Sequence, residues 1–194
     1  MNDPNYGYTD NETCLEYDRH WEITQAEVEQ YIAYLDCPSC FENYEIPESI
    51  ENWPAHTEDG AYLAPFIDAN GDNEYNTGDY PAFDINNNMN CLENDILYGH
   101  QNIWWVFNDR GNVHEETGSN SSIGLEVQAQ AFAFNTDDET ADATFYNYKI
   151  INRSTSTLNQ TYLGLWVDPD LGNYQDDFVG CDVTLGLGYC YNGD

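Results

Sequence analysis

The stretch DANGDNEYNTGDYP, from Asp68 to Pro81, gathers oxygen-bearing side chains on a segment that has to turn sharply. With Asp68 as position one, Asn70 falls at three, Asp72 at five, Glu74 at seven, Asn76 at nine and Asp79 at twelve. That is the register of a calcium loop, in which position seven offers its backbone carbonyl and the others offer side-chain oxygen. Calcium takes six to eight hard oxygens at about 2.3–2.6 Å, and alternate positions on a tight turn can converge to supply them. Position six is Asn73 where such loops carry glycine, a change the turn tolerates because asparagine reaches left-handed backbone more readily than most residues. Position twelve is Asp79, shorter than glutamate and less able to chelate with both oxygens. The competing reading is a plain Asx-rich turn, since Asp, Asn and Gly turn without a metal.

With Tyr75 at position eight as an apolar anchor, the stretch resembles dockerin-type loops. Its flanks, YLAPFI and YPAFDI, are not helix-like, and no second loop of this kind pairs with it, so a bound ion would be structural rather than signalling. A second acidic group, in WVDPDLGNYQDDFVGCD, holds Asp168, Asp170, Asp176, Asp177 and Asp182. Carboxylates from two neighbouring loops can share one calcium, although the spacing matches no standard loop and a solvated acidic turn explains it equally well.

Other chemistry is weaker. His20, His56, His100 and His114 share no local ligand spacing, and HEET at 114–117 lacks the second histidine of a zinc-protease helix, so each reads as a packing or hydrogen-bonding residue. CPSC at 37–40 has redox spacing but follows a helix instead of opening one, which favours a structural disulfide. There is no nucleophile elbow and no phosphate loop. Paired carboxylates for glycoside hydrolysis carry no signal where acids are everywhere. Trp104 and Trp105 in NIWWVFND suggest a sugar platform, but adjacent strand residues point to opposite faces, so at least one belongs to a core.

These residues need a scaffold. ITQAEVEQYIAYLDC predicts a helix, with Thr24 and Glu27 at capping-box spacing and Val28, Tyr31, Ile32 and Leu35 on one face. Residues 1–20 read as an extended lead-in, and 21–122 as the helix plus a loop-rich segment punctuated by Pro, Gly, Asn and Asp. From 123 to 194 the pattern turns to strands. IGLEVQAQAFAFN puts Leu125, Val127, Ala129, Ala131 and Ala133 on one face against Glu126, Gln128 and Gln130; ATFYNYKIIN and TYLGLWVD follow across the polar connection RSTSTLNQ. With no alternation of strand and helix, the expected fold is mainly β: an antiparallel β-sandwich, jelly-roll or immunoglobulin-like, with one accessory N-terminal helix and long calcium-type loops, 123–194 joining 21–122 in one domain.

Composition narrows the partners. The chain has 36 Asp and Glu against 4 Lys and Arg, a formal net charge of −32, which excludes nucleic acid and anionic membrane surfaces. Such self-repulsion favours bound divalent cations or a salty medium. Aromatics at 15% supply core formers, so this is no disordered acidic tail. Six cysteines, at 14, 37, 40, 91, 181 and 190, suit an oxidising extracellular setting, whereas a salt-adapted intracellular protein would keep all six as thiols. No apolar run approaches the roughly 20 residues of a membrane span, so membrane insertion is not expected.

The ordered blocks YDRHWEIT, WPAH, LAPFIDANGDNEYNTGDYP, WWVFND, GLEVQAQAFAFNT, ATFYNYKIINRST, YLGLWVDPDLGNYQDDFVGCD and LGYCYNGD resemble the amino-terminal region of large Bacteroidota surface proteins exported by type IX secretion. The resemblance runs from about Tyr17 to the last residue. It implies export through the outer membrane, a location outside the cell or on its surface, a multidomain parent with a carboxy-terminal sorting domain, and a fragment that lacks some strands of its sandwich. It offers no catalytic residues. Together these readings lead to a non-enzymatic extracellular module stabilised by Ca²⁺ and disulfides, with a structural or adhesive role. Its expected partners are the parent's other domains and a glycan or protein at the cell surface. The alternative is a glycan-binding or carbohydrate-active hydrolytic module.

Overall fold

The computed structural model describes residues 9–57, 60–83, 85, 95–110 and 122–193. The chain divides into two compact units, residues 1–156 and 157–194. It is mainly β, with antiparallel sheets and few helices.

In the first unit, α1 (Asn11–Glu16) replaces part of the expected extended lead-in. Asp10 starts it by accepting the N–H of Thr13, a local cap that outweighs the irregular composition around it. Strand β1 (Trp21–Thr24) runs directly into α2 (Gln25–Asp36). The junction is the expected capping box: Glu27 N–H donates to Thr24 Oγ1, and the Glu27 carboxylate accepts the Thr24 N–H at 2.8 Å. Val28 and Tyr31 are buried, and Ile32 and Leu35 pack at the margin of the same cluster, so the predicted face is the one that meets the core. A short α3 (Glu48–Glu51) adds the buried Ile50.

The main sheet has the order β1, β4 (Gln101–Asn108), β5 (Leu125–Ala133), β6 (Phe145–Asn152), antiparallel throughout. Trp21, Ile23 and Trp104 on one face join Val28, Tyr31, Ile50, Trp53 and Leu97 in the core. Trp105, beside Trp104, lies on the other face against Tyr148. Strand β5 is inverted relative to a simple polarity argument: Gln128 and Gln130 lie on the Trp104 face and are buried. Gln130 is satisfied there, donating to Ile96 O at 2.9 Å and accepting from Asn102 Nδ2 at 2.7 Å. The opposite face carries Trp105 and the exposed Phe107, Tyr146, Tyr148 and Ile150. No helix of the described residues is long and apolar enough to cross a membrane.

The second unit holds the hairpin β7 (Asp177–Asp182) and β8 (Leu187–Asn192). The strand expected over TYLGLWVD does not form: residues 161–170 have no regular structure, and Trp166 is 86% exposed. Aromatic and β-branched residues favour a pleated, half-buried surface and not an isolated extended backbone, so without a ladder partner the propensity has nothing to act on.

Cys37, which ends α2, is bonded to Cys40. Cys14, Cys181 and Cys190 are free thiols, and Cys91 lies outside the described residues. Across β7 and β8, Val179 faces Cys190 and Cys181 faces Gly188, which makes the two cysteines diagonal neighbours. Their Cα separation is then about 7–8 Å, too far for a disulfide without backbone movement.

Candidate metal centre

The acidic loop is closed at its base by β2 (Phe66–Ile67) and β3 (Tyr80–Pro81), a two-residue antiparallel ladder pairing Ile67 with Tyr80. Helices are therefore not needed to bring the loop's ends together. Three residues give the chain its sharp path: Gly71 at φ 77°, Asn73 at φ 63° and Gly78 at φ 111°. Asn73 is the position-six residue, and it takes the left-handed conformation expected of it.

Backbone N–H groups then organise the carboxylates. Asp68 accepts from Gly71 at 2.6 Å through Oδ1 and from Asn73 at 2.8 Å through Oδ2. Asn70 Oδ1 accepts from Asp72 N–H, and Asp72 Oδ1 accepts from Glu74 N–H, each at 2.8 Å. Asp79 clamps both arms, accepting from Ala69 at 2.9 Å and from Asn76 at 2.8 Å, and is 2% exposed. Carboxylate oxygens of Asp68, Asp72 and Asp79 all come within 4.8 Å of one another, close enough for one ion to touch all three.

Asp72 Oδ2 accepts from the amides of both Asn70 and Asn76, at 2.8 Å each. The Glu74 N–H, helped by these amides, holds the Asp72 carboxyl below its ordinary value of 3.8. A cation at the centre would require the two amides to turn their oxygens inward, a rotation about one side-chain bond each. Glu74 would contribute its carbonyl, as position seven does in the calcium register.

Two aromatic side chains tie the loop to the core. Tyr75 packs edge-on against Phe66 and donates from its hydroxyl to Ile50 O at 2.6 Å; burial pushes its phenol strongly upward, so the hydroxyl stays a donor. Tyr31 of α2 accepts the Gly78 N–H at 3.0 Å. The sequence register points to Tyr75 but not to Tyr31, which is 47 residues away in sequence from its partner and reads only as a core residue of the helix.

Asp168, Asp170, Asp176 and Asp177 do not converge in this way: among the described residues, the group of three close carboxylates is in the first loop. Asp177 Oδ2 caps Leu171 N–H at 3.0 Å, and Asp182 Oδ1 holds the N–H groups of Thr184 and Leu185. The histidines act as packing groups. His20 lies against Trp105, His56 against Tyr62 and Phe66, and His100 against Phe134 while accepting the Asn135 N–H; His114 lies outside the described residues. Comparison with protein-family models, curated proteins and solved structures returned no match for the chain.

Proposed function

We propose that this chain is a non-enzymatic, extracellular, calcium-stabilised β-rich module of a secreted or cell-surface protein, with a structural or adhesive role. The observation that carries the reading is the convergence of Asp68, Asp72 and Asp79 within 4.8 Å on a loop whose remaining ligand-type positions are in calcium register. Three carboxylates so close together repel one another, and a divalent cation offsets that repulsion in a chain already carrying −32. In this reading the second acidic group, Asp168 to Asp177, is a solvated turn.

The four-stranded sheet is one layer of a sandwich whose second layer covers the side bearing Trp105, Tyr146, Tyr148 and Ile150. An apolar sheet face of this width supports that assignment. The resemblance to surface proteins exported by type IX secretion supplies the setting, and the other domains of such a parent are the natural source of that layer.

Thermal unfolding in EDTA, in millimolar calcium and in millimolar magnesium tests the proposal. A ligand at a hundred times its Kd stabilises by about 2.7 kcal/mol, so calcium raises the midpoint by several degrees and magnesium does not. Asp72→Ala removes most of that rise while leaving the midpoint in EDTA nearly unchanged. Equal losses in EDTA and in calcium would refute the calcium reading.

A further inference from the structure

A groove of about 590 Å³ in the first unit has the size that takes a small organic ligand. Two aspartates, Asp68 and Asp95, and two cations, Lys149 and Arg153, line it, so the charges of its own walls cancel. Lys149 donates to Asp95, and Glu126 grips Arg153 through Nε and Nη2. Both basic side chains are thus engaged within the protein and act as walls. In a chain at −32 such a hollow exerts no pull on an anion, and its two cations offset the pull on another cation. The ligand that suits it is uncharged.

What the groove presents is one aromatic ring and a set of acceptors. Tyr62 lines it and is 55% exposed, and three contacts hold its ring: it lies nearly parallel to Phe66 at 6.1 Å, meets His56 at 4.6 Å, and donates from its hydroxyl to Asn73 Oδ1 at 3.1 Å. A ring so held loses little further freedom when a ligand rests on it. Gln128, 6% exposed, donates from Nε2 to Glu126 at 2.8 Å and to Tyr62 O at 3.4 Å, so Oε1 is the atom it has left for a ligand. Asp95 gives Oδ2 to Lys149 and keeps Oδ1 as an acceptor. Acceptors beside an apolar ring call for hydroxyl donors beside an apolar face, and a pyranose ring carries both. A nucleotide also has a flat face, but it would bring phosphate to a chain at −32.

We infer that this groove binds a neutral saccharide, with one sugar ring resting on Tyr62 and its hydroxyls donating to Gln128 Oε1 and Asp95 Oδ1. The site goes beyond the structural role. None of these three groups belongs to the carboxylate cluster of the acidic loop, so failure of this inference and failure of the calcium reading are separable.

Isothermal titration calorimetry and amide NMR of the full chain with cellotriose, maltotriose and mannotriose test it, in calcium and in EDTA, with trigalacturonate and a glucosamine trimer as charged probes. At least one neutral trisaccharide binds in one of the two media and shifts the Gln128 side-chain amide, and both charged probes bind more weakly than it does. Tyr62→Ala weakens that binding by about tenfold or more, the ratio that corresponds to about 1.4 kcal/mol, whereas Tyr62→Phe keeps the ring and retains most of it. Asp95→Ala weakens it by about threefold, the loss of one exposed hydrogen bond. These variants unfold near the parent temperature, because both side chains are exposed. No binding of any neutral trisaccharide, tighter binding of a charged probe, or binding unchanged in Tyr62→Ala would overturn the inference, whatever calcium does to the melting temperature.

Discussion

Loop 68–79 and segment 168–182 are both crowded with aspartate, yet only the first turns its carboxylates toward a common centre. The difference lies in what the backbone offers. In the first, left-handed turns at Gly71, Asn73 and Gly78 aim successive N–H groups inward, a two-residue ladder closes the base, and Tyr75 and Tyr31 fasten the ends to the core. In the second, the left-handed residue is Gly172, and Asp177 and Asp182 each cap backbone N–H groups near them instead of facing one another. Acidic density alone therefore does not make a site; the path and anchoring of the chain do.

The largest effect expected from this contrast is at Asp79. Asp79→Ala strips the N–H groups of Ala69 and Asn76 of a charged, buried acceptor and costs about 3 kcal/mol in EDTA by denaturant unfolding. Asp177→Ala, at the matching role in the second segment, stays within about 0.5 kcal/mol. A similar cost at both positions would erase the distinction. Tyr75→Phe removes one half-buried hydrogen bond to Ile50 O, which keeps the Trp53 N–H as a donor, and so lowers stability by about 1 kcal/mol. Asn73→Ala forces alanine into left-handed backbone for about 1–2 kcal/mol, whereas Asn73→Gly relieves the strain and costs less.

The smallest effect is a pH dependence. The folded Asp72 carboxyl titrates below its unfolded value of 3.8, so its contribution is fully present above about pH 4 and is lost as pH falls through the lower folded value. An NMR titration of the Asp72 carboxyl carbon should place its midpoint below 3.8. A midpoint at or above that value would mean that the Glu74 N–H does not hold it.

Much of this was legible beforehand. Thr24 and Glu27 announced the start of α2, the alternation of 125–133 and the apolar run of 145–152 gave strands, and the one-three-five-seven-nine-twelve spacing gave the loop. Signals within a few residues of one another survive in the sequence because their partners are local. What failed depended on distant partners. Gln128 and Gln130 look solvent-facing until Asn102 and Ile96 O are brought across from elsewhere in the fold. TYLGLWVD has the composition of a strand and no neighbour to pair with among the described residues. The short α1 is the exception, because its signals, the Asp10 cap and the first-turn acid Glu12, are local.

The outermost strand of the main sheet has a consequence for how molecules of this protein meet. No strand of the described residues pairs with the free edge of β6, and an open ladder of N–H and C=O groups is a template for another chain. At −32, two copies repel strongly before their edges can touch, and the reach of that repulsion shrinks from about 30 Å at 0.01 M salt to about 3 Å at 1 M. Ionic strength thus sets how closely two such edges can approach.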